Sequence, residues 1–201
     1  MERFRIEHGD ALEVLRGMPD NAVDAIVTDP PAGIAFMGKD WDKDKGGRAA
    51  WIGWMSQIAA ECLRVLKPGA HALVWAIPRT SHWTATAWED AGFEVRDRIA
   101  HVFGSGFPKS LDVSKAIDKM HGAAREIVGV GRRHNSASFG GEKYGEFAGG
   151  IPPITAPATE AAKQWDGWGT ALKPAVEDWW LLRKPLSESS IAANVLRWGT
   201  G

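Results

Sequence analysis

Asp29-Pro30-Pro31-Ala32 closes an apolar run, Val23-Asp24-Ala25-Ile26-Val27-Thr28, and Gly9-Asp10 closes a shorter alternating one, Phe4-Arg5-Ile6-Glu7-His8. Open α/β sheets bind their ligands at the carboxyl ends of strands, so an acid at such an end is placed for chemistry. The two prolines fix the chain just beyond the strand. A carboxylate beside a backbone carbonyl held in that way can accept two hydrogen bonds from one amino group. Methyl transfer to an exocyclic amine on a base requires that geometry. Each acid also has a plainer reading: Asp10 as a helix N-cap, Asp29 as a turn acid before two prolines.

The elements that must position these acids follow from periodicity. Alternation predicts a strand over Phe4–His8, and Leu12, Val14, Leu15 and Met18 predict a helix over Ala11–Gly17. Pro19-Asp20-Asn21 is a turn before a second strand over Ala22–Thr28. Strand, helix, strand implies parallel neighbours with a right-handed crossover, and puts Asp10 and Asp29 at one sheet edge. A loop rich in glycine, lysine and aspartate follows to Arg48. Trp51, Trp54, Ile58, Cys62, Val65 and Leu66 mark a long helix over Ala49–Leu66, stopped by Lys67-Pro68-Gly69. A strand over His71–Ile77, a helix over Thr80–Ala91 and a strand over Phe93–Val102 continue the βαβ rhythm. A short helix is predicted over Asp112–His121. Arg132–Trp168 lacks periodicity and reads as a long loop of the kind that is functional or disordered. Strand character returns over Ala175–Arg183, and the residues after Pro185 read as a polar tail with one apolar turn.

Composition sets outer bounds. The chain has 201 residues, enough for one domain with a full core, and a net charge of −1 that by itself argues for no nucleic-acid partner. The 104–150 stretch carries a mild basic excess. No apolar run is long enough to span a bilayer and the N-terminus lacks a signal core, so the expected location is the cytoplasm. A lone cysteine, Cys62, excludes an internal disulfide and reads as packing. His71, His82 and His101 lack ligand spacing, so no metal is expected. Lys39, Lys43 and Lys45 either steer a DNA backbone or are a solvated loop. Arg132 and Arg133 either contact phosphate or are solvated. Eleven tryptophans are unusual; Trp165 and Trp168 suit either packing or base stacking.

Gly9-Asp10, the Val23–Pro31 run and Arg64-Val65-Leu66-Lys67-Pro68-Gly69 together resemble the β-class DNA amino-methyltransferases, which methylate adenine N6 or cytosine N4 with S-adenosylmethionine. Phe36-Met37-Gly38-Lys39-Asp40-Trp41 and Gly106-Phe107-Pro108-Lys109-Ser110 are similar to the phage- and actinobacterial-type branch. Gly169–Glu177 resembles the late segment that closes the catalytic half. The resemblance implies one methyltransferase catalytic domain over 1–201, with a flexible loop at about 132–168. It implies an α/β fold, a three-layer, mostly parallel sheet of the Rossmann-like S-adenosylmethionine-dependent methyltransferase type.

By the same resemblance Asp29, Pro30, Pro31 and Ala32 are the catalytic corner, with Asp29 and the Pro30 carbonyl accepting the two N–H bonds of the target amine. Asp10, Asp29 and Pro30 face the cofactor, and Lys39, Lys43, Arg132 and Arg133 face DNA. The partner is double-stranded DNA with the target base flipped out; a homodimer is compatible with the class. Adenine is favoured over cytosine.

Two departures stand out. The family carries an aromatic after the prolines to stack on the flipped base, and this chain has Ala32; base stacking is worth roughly 1–3 kcal/mol, or about 10- to 200-fold. The Phe-x-Gly-x-Gly cofactor loop of β-class enzymes is not found. The chain therefore reads as the N-terminal part of a longer enzyme or as a shortened relative. An inactive DNA- or partner-binding remnant is the competing expectation. A protein-glutamine or RNA methylase is a third, against which Asp29 counts, since Asn more often opens the motif there.

Overall fold

The computed structural model describes residues 4–104, 110–131, 153–172 and 175–201. The chain forms two compact units, residues 1–106 with 174–201, and residues 107–173. In chain order the elements are α1 (Ala11–Arg16), β1 (Val23–Thr28), α2 (Arg48–Val65), β2 (Leu66–Ala76), α3 (Ser81–Asp90), β3 (Glu94–Val102), α4 (Val113–Met120), β4 (Ile127–Val130), β5 (Pro153–Thr155), α5 (Glu160–Gln164), β6 (Val176–Arg183) and α6 (Ile191–Trp198).

The first unit is built on a four-stranded sheet in the order β1-β2-β6-β3. β1 and β2 are parallel, while β6 runs antiparallel to both β2 and β3. β1, β2 and β3 thus share one direction, as expected of a mostly parallel α/β sheet, with β6 inserted against them. Trp51, Met55, Ala59 and Cys62 recur at helical spacing on α2 and are buried in one core with Ala70, Ala72 and Val74 of β2. Trp88 of α3 packs at a tilt on Phe93, ring centroids 5.0 Å apart, and both belong to that core.

Phe4–His8 is not a strand, which corrects the sequence expectation. Alternation favours a strand, but a ladder also needs a neighbour, and among the described residues β1 pairs only with β2. The parallel crossover predicted for the opening segment is absent with it. Asp10 caps α1 instead, its carboxylate accepting from the N–H groups of Leu12 and Glu13 at 3.0 and 3.2 Å.

Lys67-Pro68-Gly69 is more than a helix stop. α2 passes straight into β2, five residues before the expected strand start, and Gly69 takes φ of +78°. An added Cβ there would lie 2.6 Å from Asn194 Nδ2. Asn194, fully buried on α6, donates to the carbonyls of Pro68 and Thr200 at 2.8 and 2.6 Å, and the Thr200 hydroxyl donates to Pro68 at 2.6 Å. Lys184 Nζ donates to the Leu66 carbonyl at 2.7 Å and to Asn21 Oδ1 at 2.8 Å. What the sequence presents as a polar tail is therefore a helix that clamps the start of the central strand.

The second unit holds α4, the antiparallel pair β4 and β5, and α5. Its centre is polar. Asp118, 1% exposed, takes hydrogen bonds from Arg125 Nη1 at 2.7 Å, the Ala158 N–H at 2.9 Å, and the N–H and hydroxyl of Thr159 at 3.0 and 2.8 Å. Burial pushes its carboxyl up, but those donors and the Arg125 charge outweigh it and hold the group at about 2. The strand and helix at 153–164 correct the expected featureless loop, because nonlocal partners supply the order that local periodicity lacks.

Candidate active site

β1 and β2 are parallel, with Thr28 opposite Val74, so their carboxyl ends lie side by side. β6 is antiparallel, with Ala76 opposite Asp178, so the topology brings its first residues to the same end. Asp29 leaves β1 there, and Glu177 of β6 acts on it through its charge. Trp75 Nε1 donates to Glu177 Oε2 at 2.7 Å and fixes that second acid. Burial raises the Asp29 carboxyl above the ordinary carboxylate value, and the charges of Glu177 and Asp42 raise it further.

The chain after Asp29 is held by its backbone. Pro30 and Pro31 have no N–H, so Ala32 supplies the first donor beyond Asp29 itself. Ala32 and Gly33 donate to Asp42 Oδ1 at 2.5 and 2.9 Å, and Ile34 and Phe36 donate to Oδ2 at 3.4 and 2.8 Å. The Ala35 N–H donates to the Asp42 carbonyl at 2.7 Å. From the opposite side, the Thr80 hydroxyl donates to the Ala32 carbonyl at 2.8 Å. Gly33 has φ of +71° and lies close against Trp51, where a Cβ would meet Nε1 at 2.8 Å. Among the described residues, no donor reaches the Asp29 carboxylate or the Pro30 carbonyl. The corner thus has its donors used internally and its acceptors free.

A cavity of about 480 Å³ opens beside this corner, lined by Gly9, Val14, Ile26, Asp29, Pro30 and Met55 among others. The Gly9-Asp10 turn and the Asp29 corner therefore do converge, through the cavity rather than through two parallel strands. Gly9 lines it, while the Asp10 carboxylate is committed to capping α1. Cys62 also lines it, but its thiol is pushed up to about 12 by burial and by the charge of Glu61, which marks it as packing.

Other predicted residues are dispersed. Lys39 is exposed, and Lys43 pairs with Asp40 at 2.6 Å. Lys45 lies 4.6 Å from the Trp54 ring. Arg132 and Arg133 lie outside the described residues. Trp165 and Trp168 meet edge to face with centroids 5.6 Å apart and remain 40% and 61% exposed. Among the described residues no cluster of His, Cys, Asp or Glu suits a metal ion, and no helix is long and apolar enough to cross a membrane.

Sequence reasoning missed Asp42, Thr80 and Glu177. Asp40, Asp42 and Asp44 alternate in a charged loop, and nothing local distinguishes the middle one as buried. Glu177 was reachable from the strand reading, had the antiparallel placement of β6 been known.

Residues 23–121 match the family model for DNA methylases of the N6/N4 methyltransferase type. Over 78 residues the chain is 35% identical to the type II methyltransferase M.BamHI of Bacillus amyloliquefaciens, covering 37% of this chain and 18% of that protein. Over 71 residues it is 45% identical to the DNA adenine methyltransferase YhdJ of Escherichia coli (strain K12), covering 33% of this chain and 22% of that protein. In structure it is similar to the cytosine-N4-specific PvuII DNA methyltransferase, with a TM-score of 0.46 and 15% identity, covering 92% of this chain and 50% of that one. The chain spans about a fifth of the length of the curated relatives named here. The resemblance to DNA amino-methyltransferases read from Asp29-Pro30-Pro31 and its companion motifs holds.

Proposed function

We propose, from the premise that residues 23–121 are a DNA methylase segment of the N6/N4 type, that the chain transfers a methyl group from S-adenosylmethionine to an exocyclic amine of DNA. The observation that carries the reading is the Asp29 corner: two unclaimed acceptors on a loop fixed by Asp42 and Thr80, beside a cavity. Adenine N6 is the favoured target over cytosine N4, supported by the identity to YhdJ, and a role within restriction-modification is supported by the type II relatives.

The cavity's residues fit the cofactor by chemistry. Val14, Leu15, Ile26, Met55 and Ile58 offer an apolar wall to an adenine ring, and Glu7 and Asp29 offer carboxylates to hydroxyl groups and positive charge. Bound there, S-adenosylmethionine supplies an electrophilic methyl group.

The residues of the chain do the rest. Asp29 and the Pro30 carbonyl accept the two N–H bonds of the amine, turning its lone pair out of the plane of the base. This arrangement of acceptors is fixed before reaction, so no reorganisation is needed as charge develops on nitrogen. The raised Asp29 carboxyl suits it to receive the proton that the methylated amine sheds. Asp10 supports the cofactor side through α1 and the Gly9 turn. Lys39 and Lys43 engage DNA phosphates beside the flipped base, and Arg132 and Arg133 are further phosphate contacts.

Ala32 favours a second reading, a DNA-binding remnant, because the position that follows the prolines offers no ring for stacking. The test is transfer of labelled methyl from S-adenosylmethionine to unmethylated duplex DNA, with mass spectrometry of the nucleosides and Asp29→Asn as the blank. N6-methyladenine above the blank supports the enzyme. Binding of duplex DNA without any methylated nucleoside supports the remnant and overturns the enzyme.

A further inference from the structure

Asp42 is 1% exposed, and among the described residues no lysine or arginine pairs with it. Among the described residues its charge is met by backbone N–H dipoles. All five N–H groups from Ala32 to Phe36 turn toward this one residue, four onto the carboxylate and one onto its carbonyl. Gly33 and Ala35 both adopt left-handed conformations, with φ of +71° and +53°, and this wraps the chain into a concave ring of donors. Such a ring is an anion-binding nest. Here the anion is the protein's own side chain, supplied by the turn of 3₁₀ helix over Asp40–Asp42.

We propose that Asp42 is the positioning residue of the corner: its carboxylate fills the nest that begins at the first N–H beyond the two prolines, and thereby fixes where Asp29 and the Pro30 carbonyl stand. The prolines are rigid but donate nothing, so they transmit a position without setting one. Asp42 sets it from one side and Thr80 from the other. The inference deepens the methyl-transfer reading and rests on it for its kinetic consequence, while its structural content stands on the loop itself.

Asp42 also bears on Asp29 through its charge. The acids facing Asp29 are Glu177 from β6 and Asp42 from the loop, and both raise its carboxyl. Removing the Asp42 charge lowers the Asp29 titration even where the fold is intact, a response that a purely structural prop would not give.

The experiment uses the full 201-residue chain, with Asp42→Ala and the isosteric Asp42→Asn, which keeps one acceptor oxygen. Amide hydrogen exchange at Gly33 and Phe36, the titration of Asp29 by carboxyl NMR, and methyl-transfer kinetics are read on each. In Asp42→Ala, exchange at both amides rises about tenfold or more, since bonds to a charged acceptor are lost; Asp42→Asn gives a smaller rise. The Asp29 titration moves down in both. kcat falls about tenfold or more while KM for S-adenosylmethionine stays within about twofold, because the corner is misplaced and the cavity is not. Addition of formate, which can enter the emptied nest, restores part of the protection in Asp42→Ala. Asp44→Ala leaves the two amides unchanged.

Retained protection at Gly33 and Phe36 in the folded variants, or an unmoved Asp29 titration, overturns the proposal. Should Asp42→Ala fail to fold, the same readouts on Asp42→Asn decide. A wild-type chain that transfers no methyl sinks the functional reading alone, because exchange and titration still judge Asp42.

Discussion

Asp42 and Asp118 are both sealed from solvent, and each carboxylate takes four hydrogen bonds. Asp118 draws its donors from a cation, a hydroxyl and two N–H groups, most of them some 40 residues along the chain. Asp42 draws all four from one stretch of backbone six to ten residues away, with no cation among the described residues. A buried carboxylate with a guanidinium and distant partners ties separate segments together and so makes a fold. One that is wrapped by a short contiguous loop can only shape that loop. The same side chain, at the same burial, therefore serves architecture in one unit and a site in the other, and the identity of its donors says which.

The contrast breaks first at Asp118. Its folded carboxyl titrates below its unfolded value, so its contribution is complete above 3.8 and is lost as the pH falls through about 2. Asp118→Asn is expected to abolish amide protection across α4, β4, β5 and α5, the largest effect, with Gly33 and Phe36 still protected. Acidification of the wild type toward about 2 weakens the same amides, and exchange-detected NMR follows both.

Asp29 extends the contrast to an acid that is strained rather than satisfied. Asp29→Asn should cost about 10²- to 10³-fold in methyl transfer, the scale of losing a preorganised partner of the reacting group. The sign on stability is opposite. The folded carboxyl titrates above its unfolded value, so the ionised form disfavours folding at neutral pH, and Asp29→Asn should raise Tm at pH 7. A fall in Tm by calorimetry would assign Asp29 to the architectural class.

Ala32 sharpens the comparison from the site's side. Only its N–H and its carbonyl are engaged in the loop. Ala32→Tyr is therefore expected to leave Tm nearly unchanged while raising methyl transfer by about 10- to 200-fold through stacking on the target base. Equal rates in the two proteins would remove the missing ring from the account. Gly33→Ala is the smallest of the four: a left-handed φ costs a side chain about 1–2 kcal/mol, with crowding against Trp51 added, measured as a lowered urea midpoint.

The parts of the molecule legible in sequence are those whose partners lie close in the chain. The pattern Trp51, Trp54, Ile58, Cys62, Val65, Leu66 announces α2, and the Val23–Thr28 run announces β1, because each carries its own period. The Asp29 corner was legible because two prolines after an acid are rare and local. Phe4–His8 shows the limit: its alternation is real, yet a strand is a property of a pair. Asp42 shows another, since burial of one acid among three alternating ones depends on a loop that curls back on it. Asp118, α5 and α6 were hidden for the related reason that their stabilising contacts are long-range.

The clamp on Pro68 and Gly69 carries a consequence in time rather than in space. Asn194 and Thr200 reach the Pro68 carbonyl across 126 and 132 residues. Closing loops of that length is slow relative to forming the helices on either side. The central strand can be laid down early, but its first residues cannot be sealed until Asn194 and Thr200 have left the ribosome. During synthesis the growing chain holds that strand's entry open, so a helix 126 residues downstream acts as its latch.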